Sequence, residues 1–126
     1  MEGSAQRDIV VLLVDDNPAD HGAIRRYLAK AKTRTFELVW VQDFDFGLST
    51  LRGSTPDICL LDYRLGPRTG LDFLRQVPQV QVPIVFLTGM GNLEVAFEAM
   101  QLGAIDYLEK DQLTPALIER SIRYAI

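Results

Sequence analysis

Ile58-Cys59-Leu60-Leu61-Asp62: four apolar residues run without a break into a carboxylate, and Tyr63 to Pro67 follow as a loop. An unbroken apolar run is what a strand buried on both faces looks like, as at the centre of a parallel sheet. The carboxyl end of such a strand is where ligands bind in open α/β sheets. Asp62 therefore stands at the position in the fold where chemistry is usually done.

Working outward, Ile9 to Val14 is a second valine-rich run and ends at Asp15-Asp16-Asn17. Pro18 suits the first turn of a helix, and Ile24, Tyr27, Leu28 and Ala31 supply its apolar stripe. Phe36 to Val41 reads as a strand anchored by Trp40. Asp43 caps a short helix carrying Phe44, Leu48 and Leu51, which Gly53 ends. Beyond Asp62, Thr69 or Gly70 opens a helix with Leu71, Leu74 and Val77 inward, closed by Pro78. A strand over 84–87 follows, then a helix capped by Asn92 that carries Val95, Ala96, Ala99 and Met100 and stops at Gly103. A short strand over 105–108 precedes a last helix that starts at Thr114-Pro115. Strand and helix alternate five times with short connections, the pattern of right-handed βαβ units. The expectation is a flavodoxin-like (βα)5 single domain: a parallel five-stranded sheet of order 2-1-3-4-5 with helices on both faces. Its most apolar strands lie in the middle, and strands 2 and 5 form the edges.

The 126 residues suffice for one domain with a substantial core, and 48% of them are hydrophobic. Cys59, the single cysteine, lies inside the apolar run and reads as a small buried hydrophobe; an internal disulfide is excluded. The longest apolar run is too short to cross a bilayer, and residues 1–8, read as a flexible N-terminus, lack a signal-peptide core. A cytoplasmic protein with no membrane partner is expected. Net charge is −4, with Arg25, Arg26, Lys30, Lys32 and Arg34 clustered against the trend. This cluster reads as a solvated helix face and loop, and no direct nucleic-acid partner is expected. His21 reads as a solvated surface residue, Phe44 and Phe46 as packing, and Asp72, Glu94 and Glu98 as solvent-facing helix charges.

The strand ends share one rim, which collects Asp15 and Asp16, Asp62, Thr88 and Lys110. Three carboxylates in one cleft repel one another and hold their protons unless cations join them. Mg²⁺ prefers one or two carboxylates, a backbone carbonyl, waters and phosphate oxygens. The expected set is Asp16 and Asp62 by side chain, Asp15 mainly through water, and Arg64 by its carbonyl. A carboxylate beside Mg²⁺, a lysine and a threonine hydroxyl is equipped to attack phosphorus. Asp62 would be the nucleophile, and Lys110 and Thr88 would hold the phosphoryl oxygens, giving an aspartyl phosphate.

Val14-Asp15-Asp16-Asn17, Leu60-Leu61-Asp62, Leu87-Thr88-Gly89 and Tyr107-Leu108-Glu109-Lys110, in this order and on these strand ends, resemble the receiver domain of bacterial two-component response regulators, the CheY-like family. The likeness runs from about Ile9 to Ile126. It implies that Asp62 is charged by a histidine kinase or histidine phosphotransfer protein, that Thr88 then moves toward the phosphoryl group, and that Tyr107 turns inward. It implies that the surface of helix 4, strand 5 and helix 5 then changes its affinity for a downstream protein or output domain, and it allows a homodimer through that face. The only chemistry implied is the chain's own phosphotransfer and autodephosphorylation, not turnover of a separate substrate. The family commonly has proline directly after the lysine, where this chain has Asp111. Arg64 and Met90 occupy the places from which a water attacking the phosphate would be oriented, and neither suits that task, so slow autodephosphorylation is expected.

Three other readings compete for the same residues. A haloacid-dehalogenase-type phosphatase resembles Asp-x-Asp on its first strand and needs a cap domain, for which no residues remain. A flavin or nucleotide binder needs a Gly/Ser/Thr-rich phosphate loop after strand 1, where this chain has carboxylates. A pseudo-receiver, acting as a phosphate-independent interaction module, is the remaining alternative, and Asp111 is its support. No helix-turn-helix or catalytic output segment follows the last helix, so a single-domain regulator or the receiver of a larger signalling protein is expected.

Overall fold

A computed structural model of the chain describes residues 7–53, 56–77, 81–89 and 91–126. Five strands form one parallel sheet: β1 (Ile9–Val14), β2 (Phe36–Val41), β3 (Ile58–Asp62), β4 (Ile84–Thr88) and β5 (Asp106–Glu109). Their spatial order is β2-β1-β3-β4-β5, with all four pairings parallel. The flavodoxin-like order expected from the sequence is thus present, with the two least apolar strands at the edges. Every residue of β3 and β4 is buried, which is what helices on both faces of a central strand require.

Alternation along the strands divides the core in two. Leu12, Val14, Cys59, Leu61, Ile84 and Phe86 face one side. There they meet α2 (Phe44–Arg52), α3 (Gly70–Gln76) and α4 (Leu93–Gln101). Val11, Leu13, Ile58, Leu60, Val85 and Leu87 face the other, against α1 (Pro18–Ala29) and α5 (Pro115–Ala125). Cys59 is fully buried, and burial pushes its thiol pKa up, so it packs as an inert hydrophobe. No helix among the described residues is long and apolar enough to cross a membrane.

Local chemistry sets where the helices begin. Asn17, Asp43 and Thr114 each accept a hydrogen bond from a backbone N–H of the first turn they cap, at 2.9, 2.8 and 3.1 Å. Such caps are worth about 1 kcal/mol each. At α3 the cap is reciprocal: Thr69 Oγ1 accepts from Asp72 N–H while the Asp72 carboxylate accepts from Thr69 N–H. Asp72 is therefore part of a capping box rather than a plain surface charge. Arg75 pairs with both Asp72 and Glu98 and so ties α3 to α4. Asn92 departs from expectation, because its side chain makes no capping bond and only its carbonyl accepts from Ala96 N–H. The Pro78 stop lies outside the described residues.

Two further departures matter for the site. Tyr63 to Pro67, expected as a plain loop, belong to a stretch with a short antiparallel hairpin in which Arg64 pairs with Thr69 and Leu65 with Arg68. Gly66 at its tip has φ +66°, a conformation open to glycine at no steric cost. Phe73, absent from the expected core, is fully buried on α3 and meets Phe44 edge-on at 5.3 Å.

Of the segment expected to be flexible, residues 1–6 lie outside the described residues. Arg7 pairs with both oxygens of Asp57 at 2.6 and 2.8 Å, and Asp57 also accepts from Val10 N–H. The guanidinium hydrogen bond holds the Asp57 carboxyl down to about 2.

Candidate functional site

The carboxyl ends of β1, β3 and β5 lie close together because register fixes them. Val14 pairs with Leu61 and Asp62 with Leu87, so Asp15 and Asp62 end adjacent strands side by side. Thr88 pairs with Glu109, which puts Lys110 one residue past the same edge. Asp15, Asp16 and Asp62 each offer a carboxylate oxygen within 4.8 Å of the others. The Lys110 ammonium donates to Asp62 Oδ1 at 2.7 Å and lies 3.6 Å from Asp15 Oδ2. Of the sequence-predicted residues, Asp15, Asp16, Asp62 and Lys110 are thus gathered at one point. Thr88 ends the neighbouring strand and is 1% exposed. Arg64 lies in the hairpin two residues beyond Asp62 with its side chain exposed. Tyr107, opposite Phe86 on β5, is half-buried against the α2, α3 and α4 side of the core. Met90 lies outside the described residues.

The electrostatics follow from burial. Asp15 is fully buried, and desolvation, followed by the neighbouring Asp62 charge, pushes its carboxyl up to about 8 against the Asn17 N–H and Lys110, which favour the anion. Burial also raises Asp62, with Lys110 opposing. For Lys110, burial alone would lower the pKa, but hydrogen bonds to Asp20 and Asp62 outweigh it and raise the ammonium above its ordinary value. Asp15 Oδ1 accepts from Asn17 N–H at 2.9 Å, whereas Asp15 Oδ2 is buried with no hydrogen-bond partner. An unpartnered buried carboxylate oxygen is costly and invites a cation. Three converging oxygen donors, one of them orphaned, fit a hard divalent ion such as Mg²⁺.

This yields a pH prediction with a definite sign. Asp15 ionises near 3.8 in the unfolded chain and near 8 in the fold, so its contribution to stability is complete below about pH 4 and is lost as pH rises through 8. Asp57, with its lowered pKa, works in the opposite direction and only between about pH 4 and 2. In metal-free buffer the melting temperature is expected to fall between pH 5.5 and 8.5, and millimolar Mg²⁺ is expected to restore it most at the higher pH. A melting temperature indifferent to Mg²⁺ at pH 8.5 contradicts this. Calorimetry or fluorescence melts read it directly.

Several site residues were not singled out from the sequence. Asp20, in the first turn of α1, accepts a hydrogen bond from Lys110 Nζ. Its signal was its place one helical turn after Asp16, which also suits a plain helix-dipole charge. Gly66 N–H donates to Asp16 Oδ2 at 2.8 Å and so ties the hairpin to the acidic loop. Trp40 is more than a packing anchor: its indole N–H donates to the Asp15 carbonyl at 2.7 Å. His21 stacks on that indole with ring centres 4.1 Å apart and planes 9° from parallel, which corrects its reading as a merely solvated residue.

The molecule is thus a five-stranded parallel α/β domain with a lysine and three carboxylates, Asp15 and Asp62 buried and Asp16 more open to solvent, at the carboxyl ends of its strands, the rim where open α/β sheets bind their ligands. Residues 11–122 match the family model of the response regulator receiver domain. The chain is 32% identical to the acid tolerance regulatory protein ActR of Sinorhizobium medicae, over 90% of this chain and 60% of ActR. It is 33% identical to the transcriptional regulatory protein FixJ of Bradyrhizobium diazoefficiens, over 91% of this chain and 57% of FixJ. With the DNA-binding transcriptional regulator NtrC of Salmonella typhimurium it shares 34%, over 91% of this chain and 25% of NtrC. The chain thus spans less than two thirds of the length of these relatives. Among solved structures, the crystal structure of FixJ-N superposes with a TM-score of 0.79 at 25% identity, covering 95% of this chain and 94% of that one. A putative response regulator from Chloroflexus aurantiacus superposes with a TM-score of 0.82 at 22% identity, covering 94% and 98%, and shares the fold. The chain belongs to the response regulator receiver domain family of two-component signalling.

Proposed function

We propose that the chain is a phosphorylation-activated switch that acts in the cytoplasm. Asp62 accepts a phosphoryl group from a histidine kinase or histidine phosphotransfer protein, with Mg²⁺ held by Asp15, Asp16, Asp62 and the Arg64 carbonyl. The observation that carries this reading is the Lys110 ammonium hydrogen-bonded to Asp62 beside an unpartnered Asp15 oxygen. An Asp62 oxygen attacks phosphorus, the P–N bond to the donor imidazole breaks with its electron pair going to the ring, and an acyl phosphate P–O bond forms. When bound, the metal ion neutralises phosphoryl oxygens. Lys110 takes another of these oxygens, and Thr88 turns its hydroxyl toward the group. Lys110 reaches Asp62 although Asp111 follows it, which supports this reading over a phosphate-independent pseudo-receiver.

The output follows from a bistable surface. Tyr107 fills the space that Thr88 leaves, and the face of α4, β5 and α5 changes its affinity for a downstream protein, an output domain or a second copy of the chain. Leu93, Phe97, Met100 and Ile105 are exposed on this side, an apolar patch suited to a partner. Going from mostly off to mostly on takes about 5.5 kcal/mol of differential stabilisation, within reach of two or three charge-assisted hydrogen bonds.

Incubation with acetyl phosphate and Mg²⁺ is expected to add one phosphoryl group by intact mass, and chelation of the metal is expected to prevent it. No mass gain in the wild-type protein overturns the proposal. The exposed Arg64 guanidinium offers no oxygen to orient an attacking water, so the phosphorylated protein is expected to persist for minutes or longer. A lifetime of seconds after removal of acetyl phosphate contradicts that part.

A further inference from the structure

Lys110 faces an unusual problem of aim. It directly follows edge strand β5 and opens a single 3₁₀ turn, Lys110–Gln112, whose start has no side-chain cap. Its side chain has four rotatable bonds, and fixing such a chain costs rotamer entropy. The ammonium is nevertheless gripped from two elements at once: Asp62 at the end of β3 and Asp20 on α1. Among the described residues Lys110 is the partner of the Asp20 carboxylate, and no first-turn N–H of α1 uses it. The pair is sheltered, with side chains 25% and 23% exposed, and it closes a small gap walled by Ala23, Ile24, Tyr27 and Leu113. A sheltered, charge-assisted bond of this kind restrains geometry more than an exposed ion pair does.

We propose that Asp20 is a positioning residue for phosphoryl uptake: it holds the Lys110 ammonium beside Asp62, so that the lysine is already aimed when the phosphoryl group arrives. This rests on the reading of Asp62 as the acceptor. Among the described residues Asp20 makes its contact with the site through Lys110, while its charge is also felt at Asp62 and Asp15. It also raises the count of carboxylates around the ammonium to three, beside Asp15 and Asp62, so a purely electrostatic role is the rival to be separated from positioning.

Asp20→Ala removes both the charge and the acceptor atom, whereas Asp20→Asn removes the charge and keeps a carbonyl oxygen for Lys110. Two quantities are measured on each protein. One is the rate of phosphoryl uptake from acetyl phosphate at saturating Mg²⁺. The other is the nitrogen-15 NMR signal of the Lys110 ammonium in metal-free protein, which is sharp when the group is held and lost to exchange when it is free. Positioning predicts about tenfold slower uptake and a lost ammonium signal in Asp20→Ala, because misaimed catalytic groups cost on this scale. It predicts uptake within about threefold of wild type and a retained signal in Asp20→Asn, since one hydrogen bond suffices to orient the group. Equal effects of the two variants would assign the role to charge and overturn the proposal. So would an unchanged rate and signal in Asp20→Ala. A wild-type protein that takes up no phosphoryl group, yet shows a held ammonium lost only in Asp20→Ala, would sink the acceptor reading and leave the Asp20–Lys110 link standing.

Discussion

Asp62→Asn is expected to take up no phosphoryl group under conditions that load the wild-type protein fully, and to lose none of its stability at pH 8. The first half follows from nucleophilicity. A carboxamide has no anionic oxygen to attack phosphorus, and removing a nucleophile outright costs orders of magnitude in rate. The second half follows from burial. Asp62 is 2% exposed and its pKa is raised by desolvation, so the ionised form is less favourable in the fold than in the unfolded chain. A raised carboxyl pKa gives stability that is present at low pH and lost as pH climbs. Asparagine has no such loss. Lys110 exchanges the Asp62 carboxylate for a neutral carbonyl oxygen and keeps Asp20, so no cation is stranded. In metal-free buffer the Asp62→Asn protein is expected to melt at or above the wild-type temperature at pH 8, with the gap closing toward pH 4. Intact mass after acetyl phosphate treatment and melts at the two pH values read both halves. Phosphoryl uptake by Asp62→Asn would move the acceptor elsewhere.

The parts of the fold legible in the sequence were those written in local patterns. The unbroken apolar runs of β1, β3 and β4 announced strands buried on both faces, Pro18 announced the start of α1, and Asp43, Thr69 and Thr114 announced helix starts where the structure uses their side-chain oxygens. The gathering of Asp15, Asp16, Asp62 and Lys110 was legible for a topological reason: in a parallel sheet all carboxyl ends lie on one rim, so naming the strands names the rim.

What the sequence hid depends on contacts between distant elements. The bond from Lys110 to Asp20 spans 90 positions, and that from Trp40 to the Asp15 carbonyl spans 25. No periodicity marks either pair. His21 looked solvated because its place off the apolar stripe of α1 says nothing about an indole arriving from the edge strand β2. The hairpin after Asp62 was hidden because two residues in each arm are too few to show alternation. Asn92 misled in the opposite direction, since a residue type favoured at caps can hold the position with its side chain unused.

Gly70→Ala is expected to be the most damaging single-methyl change in the chain, at about 3 kcal/mol, the upper part of the range for overpacking. Gly70 opens α3 directly beneath the Asp62 end of β3, and its N–H donates to the Tyr63 carbonyl at 2.6 Å. A Cβ at this position overlaps the Asp62 carbonyl oxygen outright and lies 2.8 Å from a ring carbon of Phe86. Neither neighbour can yield easily. The carbonyl belongs to the last residue of a fully buried central strand, and Phe86 is itself fully buried. The helix must therefore shift away from the sheet, taking the Thr69–Asp72 cap with it. For a domain of this size the loss corresponds to a melting temperature lower by roughly 10 °C. Because the displaced backbone is that of Asp62, phosphoryl uptake is expected to slow as well, even at temperatures where the protein stays folded. Gly22→Ala is the matched control. It adds the same methyl group to the middle of α1, where the nearest atom is the end of the Arg26 side chain at 3.5 Å, and the better helix propensity of alanine should stabilise the protein by about 0.5–1 kcal/mol. Equal melting temperatures for the two variants would show that α3 and β3 are not in the contact described.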